Sequence, residues 1–163
     1  MAEHCTHSEL ASCTQPSSEQ VAVFIDQAAD LCDRRKLRFT KLRRQVLELV
    51  CKASQPVGAY QLLDELRDSG RSAAPPTVYR ALDFLLEQGL VHRLATNNTY
   101  LACAHPQHQH AAIFLVCSSC GHTQEVHTHG VVEELGHEAE QFGFAIGHTA
   151  VEATGLCSRC RDL

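Results

Sequence analysis

The chain has no apolar run approaching the ~20 residues that a bilayer-spanning helix needs. Its first residues, Met1-Ala2-Glu3-His4-Cys5-Thr6-His7, have neither the basic start nor the apolar stretch of a secretory signal. These absences predict a cytoplasmic chain that makes no membrane contact and keeps its cysteines reduced. An even cysteine count is missing too: nine are present, which excludes full disulfide pairing and turns attention to metal ligands or redox groups. Net positive charge is also absent, at -5, and taken over the whole chain this argues against a nucleic-acid partner. The deficit hides an asymmetry, because Arg34, Arg35, Lys36, Arg38, Lys41, Arg43 and Arg44 crowd one short stretch while Glu133, Glu134, Glu138 and Glu140 lie in the other half.

What remains is an ordinary soluble composition, 44% hydrophobic and 20% charged, so the chain is expected to fold. A length of 163 residues suits one domain or two small ones. Residues 1–18 lack hydrophobic period and read as a mobile tail. Its His4, Cys5, His7 and Cys13 form either a loose metal-scavenging cluster or, the preferred reading, a terminus with no dedicated site. From Glu19 onward, Val21, Phe24, Ile25, Ala28 and Leu31 recur at helical spacing, and Leu42, Val46, Leu49 and Val50 repeat the pattern. Gln55-Pro56-Val57-Gly58 interrupts it, after which Leu62, Leu63 and Leu66 predict a third, short helix ending near Asp68-Ser69-Gly70.

Pro75-Pro76-Thr77 then opens a fourth helix with Val78, Leu82, Leu85 and Leu86 as its apolar stripe, ended by Gly89. Leu90 to Leu94 and Thr99 to Cys103, around Thr96-Asn97-Asn98, predict a β-hairpin. Helices followed by a two-stranded hairpin describe a winged helix-turn-helix over residues 19–102, whose last helix enters the major groove. Arg80 lies in the first turns of that helix, where an arginine can donate two hydrogen bonds to guanine N7 and O6. A lone surface arginine is usually just solvated. The basic run from Arg34 to Arg44 in the same domain, which can neutralise phosphates, favours double-stranded DNA.

Residues 103–110 form a histidine-containing hinge. Ala111 to Val116 reads as a buried strand, Thr123 to His127 as a second, and Val131, Val132, Leu135, Ala139 and Phe142 as the apolar face of a helix. Phe144 to Thr154 reads as a third strand. The second domain, 111–163, is therefore α+β, as is the chain. Two C-x-x-C pairs, Cys117/Cys120 and Cys157/Cys160, supply four thiolates from two tight turns, the donor set of a closed tetrahedral zinc site that staples a small fold. A redox centre is the competing reading, and the chain lacks the thioredoxin-like context that a redox C-x-x-C has. A second set, His92, Cys103, His110 and Glu125, flanks the domain junction with nitrogen, sulfur and oxygen donors. Singly each has a dull explanation; jointly they describe a ligand that fixes a hinge, since all four are available only when both sides come together. One thiolate, two imidazoles and a carboxylate suit zinc better than iron.

The block Pro75-Pro76-Thr77-Val78-Tyr79-Arg80-Ala81-Leu82-Asp83-Phe84-Leu85-Leu86-Glu87-Gln88-Gly89-Leu90-Val91-His92 resembles the recognition-helix segment of the ferric uptake regulator superfamily, in particular its zinc uptake regulator branch. The resemblance continues through Ala59-Tyr60-Gln61-Leu62-Leu63-Asp64, both cysteine pairs and Gly155-Leu156-Cys157, leaving only the amino-terminal tail without a counterpart. It implies structural zinc on Cys117, Cys120, Cys157 and Cys160, and regulatory zinc on His92, Cys103, His110 and Glu125, two ions per monomer. It implies DNA contacts from Arg80 and Tyr60, support from Tyr79 and Arg38, and pairing of Asp64 with Arg67 between neighbouring dimers. The second domain becomes a dimerisation domain. Two departures stand out: Lys41 follows Thr40 where the family has proline, so a differently placed second helix is expected, and His105, His108 and His110 replace the compact His-His-Asp-His cluster of iron-sensing relatives. A third metal site is left open, with His108, Glu134 and His148 as its candidates.

The expected function is a zinc-dependent repressor that binds a pseudo-palindromic operator as a homodimer, singly or as pairs of dimers, and controls zinc uptake and homeostasis genes. The alternatives are a sensor of iron, manganese or peroxide on the same scaffold, or an enzyme using Cys103 or a zinc-bound water. No catalytic motif supports the enzyme, and four protein ligands leave no open position for water.

Overall fold

The computed structural model describes residues 16–70, 74–103, 106, 112–126, 129–147 and 149–161. His4, Cys5, His7, Cys13, His105, His108, His110 and His148 lie outside them. The chain divides into two compact units, residues 1–108 and 109–163.

In the first unit, helix α1 (Ser18–Arg34) starts under a capping box: the Ser17 hydroxyl accepts from the Gln20 N–H at 3.2 Å, and the Gln20 side chain accepts from the Ser17 N–H at 2.7 Å. Its buried stripe of Val21, Phe24, Ile25, Ala28, Leu31 and Cys32 matches the expected period, with Cys32 added. Helix α2 (Lys41–Lys52) begins at the residue where the resemblance places proline, with the Thr40 hydroxyl capping the Arg43 N–H. Proline suits this first position because its missing N–H is one of the unpaired donors there. Lys41 keeps that N–H, and α2 starts at it under the Thr40 cap. Helix α2 buries Val46, Leu47, Val50 and Cys51, while Leu42 and Leu49 pack at the edge of the core.

Helix α3 (Ala59–Asp68) buries Leu62, Leu63 and Leu66, and helix α4 (Pro75–Glu87) buries Val78, Ala81, Leu82, Phe84 and Leu85. Leu86, expected in the stripe, is only half-buried, and Phe84 takes its place inside. Gly89 stops α4 in the left-handed region (φ 69°), its N–H donating to the Leu86 carbonyl while the Leu90 N–H donates to that of Leu85, a Schellman closure. Strands β2 (Val91–Leu94) and β3 (Thr99–Ala102) form the expected hairpin. A two-residue strand β1 (Val57–Gly58) joins β3 and gives a three-stranded antiparallel sheet in the order β1-β3-β2. Two residues are too few for alternation to register in sequence. Val57 is nonetheless buried opposite Tyr100, which closes the core from the wing side.

The second unit is a three-stranded sheet in the order β5-β4-β6. Strand β4 (Ala112–Cys117) runs antiparallel to β5 (Thr123–Val126) and parallel to β6 (Ala150–Gly155), and helix α5 (His129–Gln141) makes the crossover; a short α6 (Ser158–Arg161) follows. Two expectations fail here. The third strand starts at Ala150 rather than Phe144, because residues 144–147 form no ladder. Strand β4 is not buried on both faces: Ile113, Phe114 and Val116 are inside, but Leu115 is 48% exposed. The apolar face of α5 is also uncovered in the single chain, with Val131, Leu135 and, just past its end, Phe142 exposed.

Candidate metal centre and nucleic-acid interface

The two C-x-x-C turns meet because β4 and β6 run parallel with Cys117 opposite Gly155, so both turns leave the same end of the sheet. Each turn closes on itself. Gly121 N–H donates to the Cys117 carbonyl at 2.9 Å, with Gly121 at φ 72°, and Cys160 N–H donates to the Cys157 carbonyl at 3.0 Å. Ser118 ties the turns together by donating from its N–H and hydroxyl to the Gly155 carbonyl at 2.8 and 3.1 Å. As a result the four Sγ atoms all lie within 4.8 Å of one another. The Cys120 and Cys157 sulfurs are 3.8 Å apart. This is far beyond a disulfide bond, and it equals the edge of a tetrahedron drawn with Zn–S bonds of about 2.3 Å. The donor set and its spacing fit zinc.

Electrostatics make the same point. Cys117 is pulled down to about 6, first by the Cys157 N–H, which donates to its sulfur at 3.4 Å, and then by other turn N–H groups. Cys157 is also lowered, chiefly by the Cys160 N–H. Cys160 receives a hydrogen bond from Ser119 that favours its thiolate, but the neighbouring thiols Cys120, Cys157 and Cys117 and its partial burial outweigh it and push it up to about 11. Four sulfurs this close cannot all ionise alone, and a divalent cation removes that conflict. Cys32 and Cys51 are different: burial raises both, Cys51 to about 12, and they sit in the helical core as inert thiols.

Of the second donor set, His92 and Cys103 belong to the first unit. Half-buried His92 sits on β2, while Cys103 follows β3, 1% exposed, its N–H donating to the Leu90 carbonyl at 3.0 Å. The hairpin brings their ligand atoms within 4.8 Å of each other. Glu125 belongs to the second unit, on β5 opposite Phe114, and is the charged side chain buried among the described residues. A buried carboxylate needs a compensating charge or hydrogen bonds. His110 lies outside the described residues, as do His108 and His148 of the candidate third site; Glu134 is exposed on α5.

On the helical unit, Arg80 is exposed in the second turn of α4, and Tyr60 is 72% exposed in the first turn of α3. Arg38 and Lys41 are exposed at the start of α2. Tyr79 is half-buried against the core. Asp64 and Arg67, both exposed, pair with each other along α3 at 3.1 Å.

The match to known proteins covers most of this architecture. Residues 34–154 match the model of the ferric uptake regulator family. The chain belongs to that family. Within it, the chain is 42% identical over 138 residues to the zinc uptake regulation protein of Escherichia coli (strain K12), covering 84% of this chain and 81% of that protein. It is 36% identical over 130 residues to the zinc uptake regulation protein of Mycobacterium tuberculosis, covering 77% and 96%. Among solved structures, a zinc uptake regulator complexed with zinc and DNA superposes with a TM-score of 0.84 at 38% identity, over 90% of this chain and 97% of that one. The expected mixed fold and the resemblance to the zinc-sensing branch hold. The family and these relatives are transcriptional regulators rather than enzymes, and no described helix is long and apolar enough to cross a membrane.

Composition hid one thing about this member of the family. The basic run from Arg34 to Arg44 is not a uniform phosphate-facing patch. Arg35 donates to the Gln88 carbonyl and side-chain oxygen at 3.0 and 2.9 Å, Arg43 lies 3.5 Å over the Phe84 ring, and Arg44 approaches Asp26 at 3.8 Å and the Phe39 ring at 5.9 Å. Apart from Phe39, five positions from Arg44, these partners are 18 to 53 positions away along the chain, so no local spacing could have revealed them.

Proposed function

We propose that the chain is a zinc-dependent transcriptional repressor that binds a pseudo-palindromic operator as a homodimer and controls genes of zinc uptake and homeostasis in the cytoplasm. The observation that carries this reading is the meeting of His92 and Cys103 on the wing of the helical unit, together with a complete set of four cysteine sulfurs held entirely by the other unit. The names of the relatives, and the zinc and DNA in the solved neighbour, support it. Cys117, Cys120, Cys157 and Cys160 hold a structural ion. His92, Cys103, His110 and Glu125 hold a second, regulatory one, making two per monomer.

A zinc ion held by His92, Cys103, His110 and Glu125 would supply the positive charge that a buried Glu125 carboxylate needs. His92 and Cys103 come from the wing, and Glu125 comes from the sheet of the second unit, so engaging all of them restricts how the units can be arranged. Arg80 then reads a base edge, Tyr60 adds a base contact, and Tyr79 and Arg38 support the docked helix. Leu135, Phe142, Phe144 and Ile146, which line an apolar depression on the second unit, are covered by a second copy, and the two-fold presents two recognition helices to two half-sites. Asp64 and Arg67 re-pair between adjacent dimers where two dimers share an operator.

The test is a fluorescence-anisotropy titration of the purified protein with a pseudo-palindromic AT-rich duplex in buffered free zinc, iron(II) or manganese(II) at fixed salt. Tight binding with zinc alone is expected. Equal binding in all three metals, or none while the four-thiolate site is filled, removes zinc as the input.

A further inference from the structure

Two arginines of the basic run point inward, toward the recognition helix. Arg43 stacks on Phe84, whose ring is buried on the inner face of α4, and its guanidinium also donates to the carbonyl of Arg38. Arg35 reaches the same helix one turn further on, donating to both oxygens of Gln88, the residue that caps α4 before Gly89. The two grip one helix at its last turn and at its carboxyl end, where unpaired carbonyls and the helix dipole favour a cation. Arg43 has a further connection: through the Arg38 carbonyl it joins α4 to the loop that carries the exposed Arg38 side chain.

From this geometry we infer that Arg35 and Arg43 are positioning residues, a clamp that sets the angle at which α4 presents Arg80 to a base pair, and not phosphate contacts like Arg38 and Lys41. The inference rests on the DNA-binding reading above. It divides the basic run into two classes that differ in one measurable quantity. A cation that neutralises a phosphate releases a counterion, so its loss lowers the slope of log affinity against log salt by about 0.9 and weakens all sequences alike. A clamp residue contributes nothing to that slope. Its loss misaligns Arg80, and the penalty falls on the cognate sequence alone.

The experiment compares wild type with Arg38→Ala, Arg43→Ala, Arg43→Lys and Arg35→Ala, all zinc-loaded, on the pseudo-palindromic duplex and on a shuffled duplex of equal composition across a salt series. Arg43→Ala and Arg35→Ala are expected to lose roughly 10-fold in affinity for the palindromic duplex, the size of one desolvated cation–π or charge-assisted contact. Their affinity for the shuffled duplex and their salt slope stay at wild-type values. Arg38→Ala loses on both duplexes and lowers the slope. Arg43→Lys keeps the charge but not the planar stack, so it fails to restore discrimination. A slope reduced by about one in Arg43→Ala or Arg35→Ala, with equal loss on both duplexes, overturns the clamp and makes these residues phosphate contacts. Amide hydrogen exchange on the DNA-free protein separates this outcome from failure of the DNA-binding reading. The clamp requires faster exchange over residues 82–90 in both alanine variants with α1 unaffected, and unchanged protection there rejects it even if no duplex binds.

Discussion

The two units of this chain are held together by different physics. The first buries a continuous core drawn from four helices and a small sheet, from Val21 in α1 through Leu82 and Leu85 in α4 to Tyr100 on the wing. Among its described residues the second buries only Ile113, Phe114, Val116 and Cys117 of the hydrophobic ones, while Leu115, Phe142, Phe144 and Leu156 stand exposed. A sheet of three short strands with that little apolar cover is marginal in water. What it has instead is a cluster of four cysteine sulfurs at the end of its two parallel strands, and an exposed apolar face. One unit is stabilised from within; in the proposed reading the other is stabilised by an ion and a second copy.

Removing one sulfur gives the sharpest break of this contrast. Cys117→Ser is expected to unfold the second unit, since a structural zinc contributes an apparent ~10–16 kcal/mol to small zinc domains. Hydrogen exchange should then lose protection over β4 and β6 while α1 to α4 keep theirs; simultaneous loss in both units would show that they form one cooperative block. Cys103→Ser sharpens the division, because it should abolish the zinc-dependent part of DNA binding in the anisotropy titration with exchange protection intact in both units. If it instead unfolds the chain as Cys117→Ser does, the split into structural and regulatory sets fails.

The converse change is Leu82→Ala, at a fully buried position. It should lower the stability of the helical unit by about 2–5 kcal/mol, read as a reduced denaturation midpoint, with zinc retained by the four cysteines. Arg80→Ala should leave both midpoints alone and cost about 1–3 kcal/mol of binding, confined to one base position per half-site, as a panel of single-base operator variants would show. The smallest effect is at Gly89→Ala. Its φ of 69° is left-handed, and a Cβ there meets no neighbour, so the cost is conformational and about 1 kcal/mol on the helical unit alone.

How much was legible in sequence follows the same division. The helical unit could be read almost residue by residue, because its apolar positions face one internal core and therefore repeat at the helical period; the miss of Leu47 and Cys51 on α2 reflects a stripe wider than the one chosen. In the second unit the same periodicity identified Leu135 and Phe142 as an apolar face, which they are, but not what covers it. The strand expected from Phe144 begins six residues later, because apolar residues can serve an exposed surface as well as a ladder. The thiolate centre was legible from spacing alone, since two C-x-x-C turns carry their own local geometry. The roles of Arg35 and Arg43 were not, because a charge in a run looks solvated until its distant partner is known.

The parallel pairing of β4 with β6 also bears on the order of events during folding. The helices and the wing hairpin form from neighbours in sequence, and contacts of that kind close quickly. Strand β6 finds β4 only after the whole of α5 has been threaded across, and the sulfurs of Cys117 and Cys157 meet 40 positions apart. Closing such a loop is slow, and it is favoured once a metal clips its ends. The helices and the wing hairpin are therefore expected to form before β6 closes onto β4.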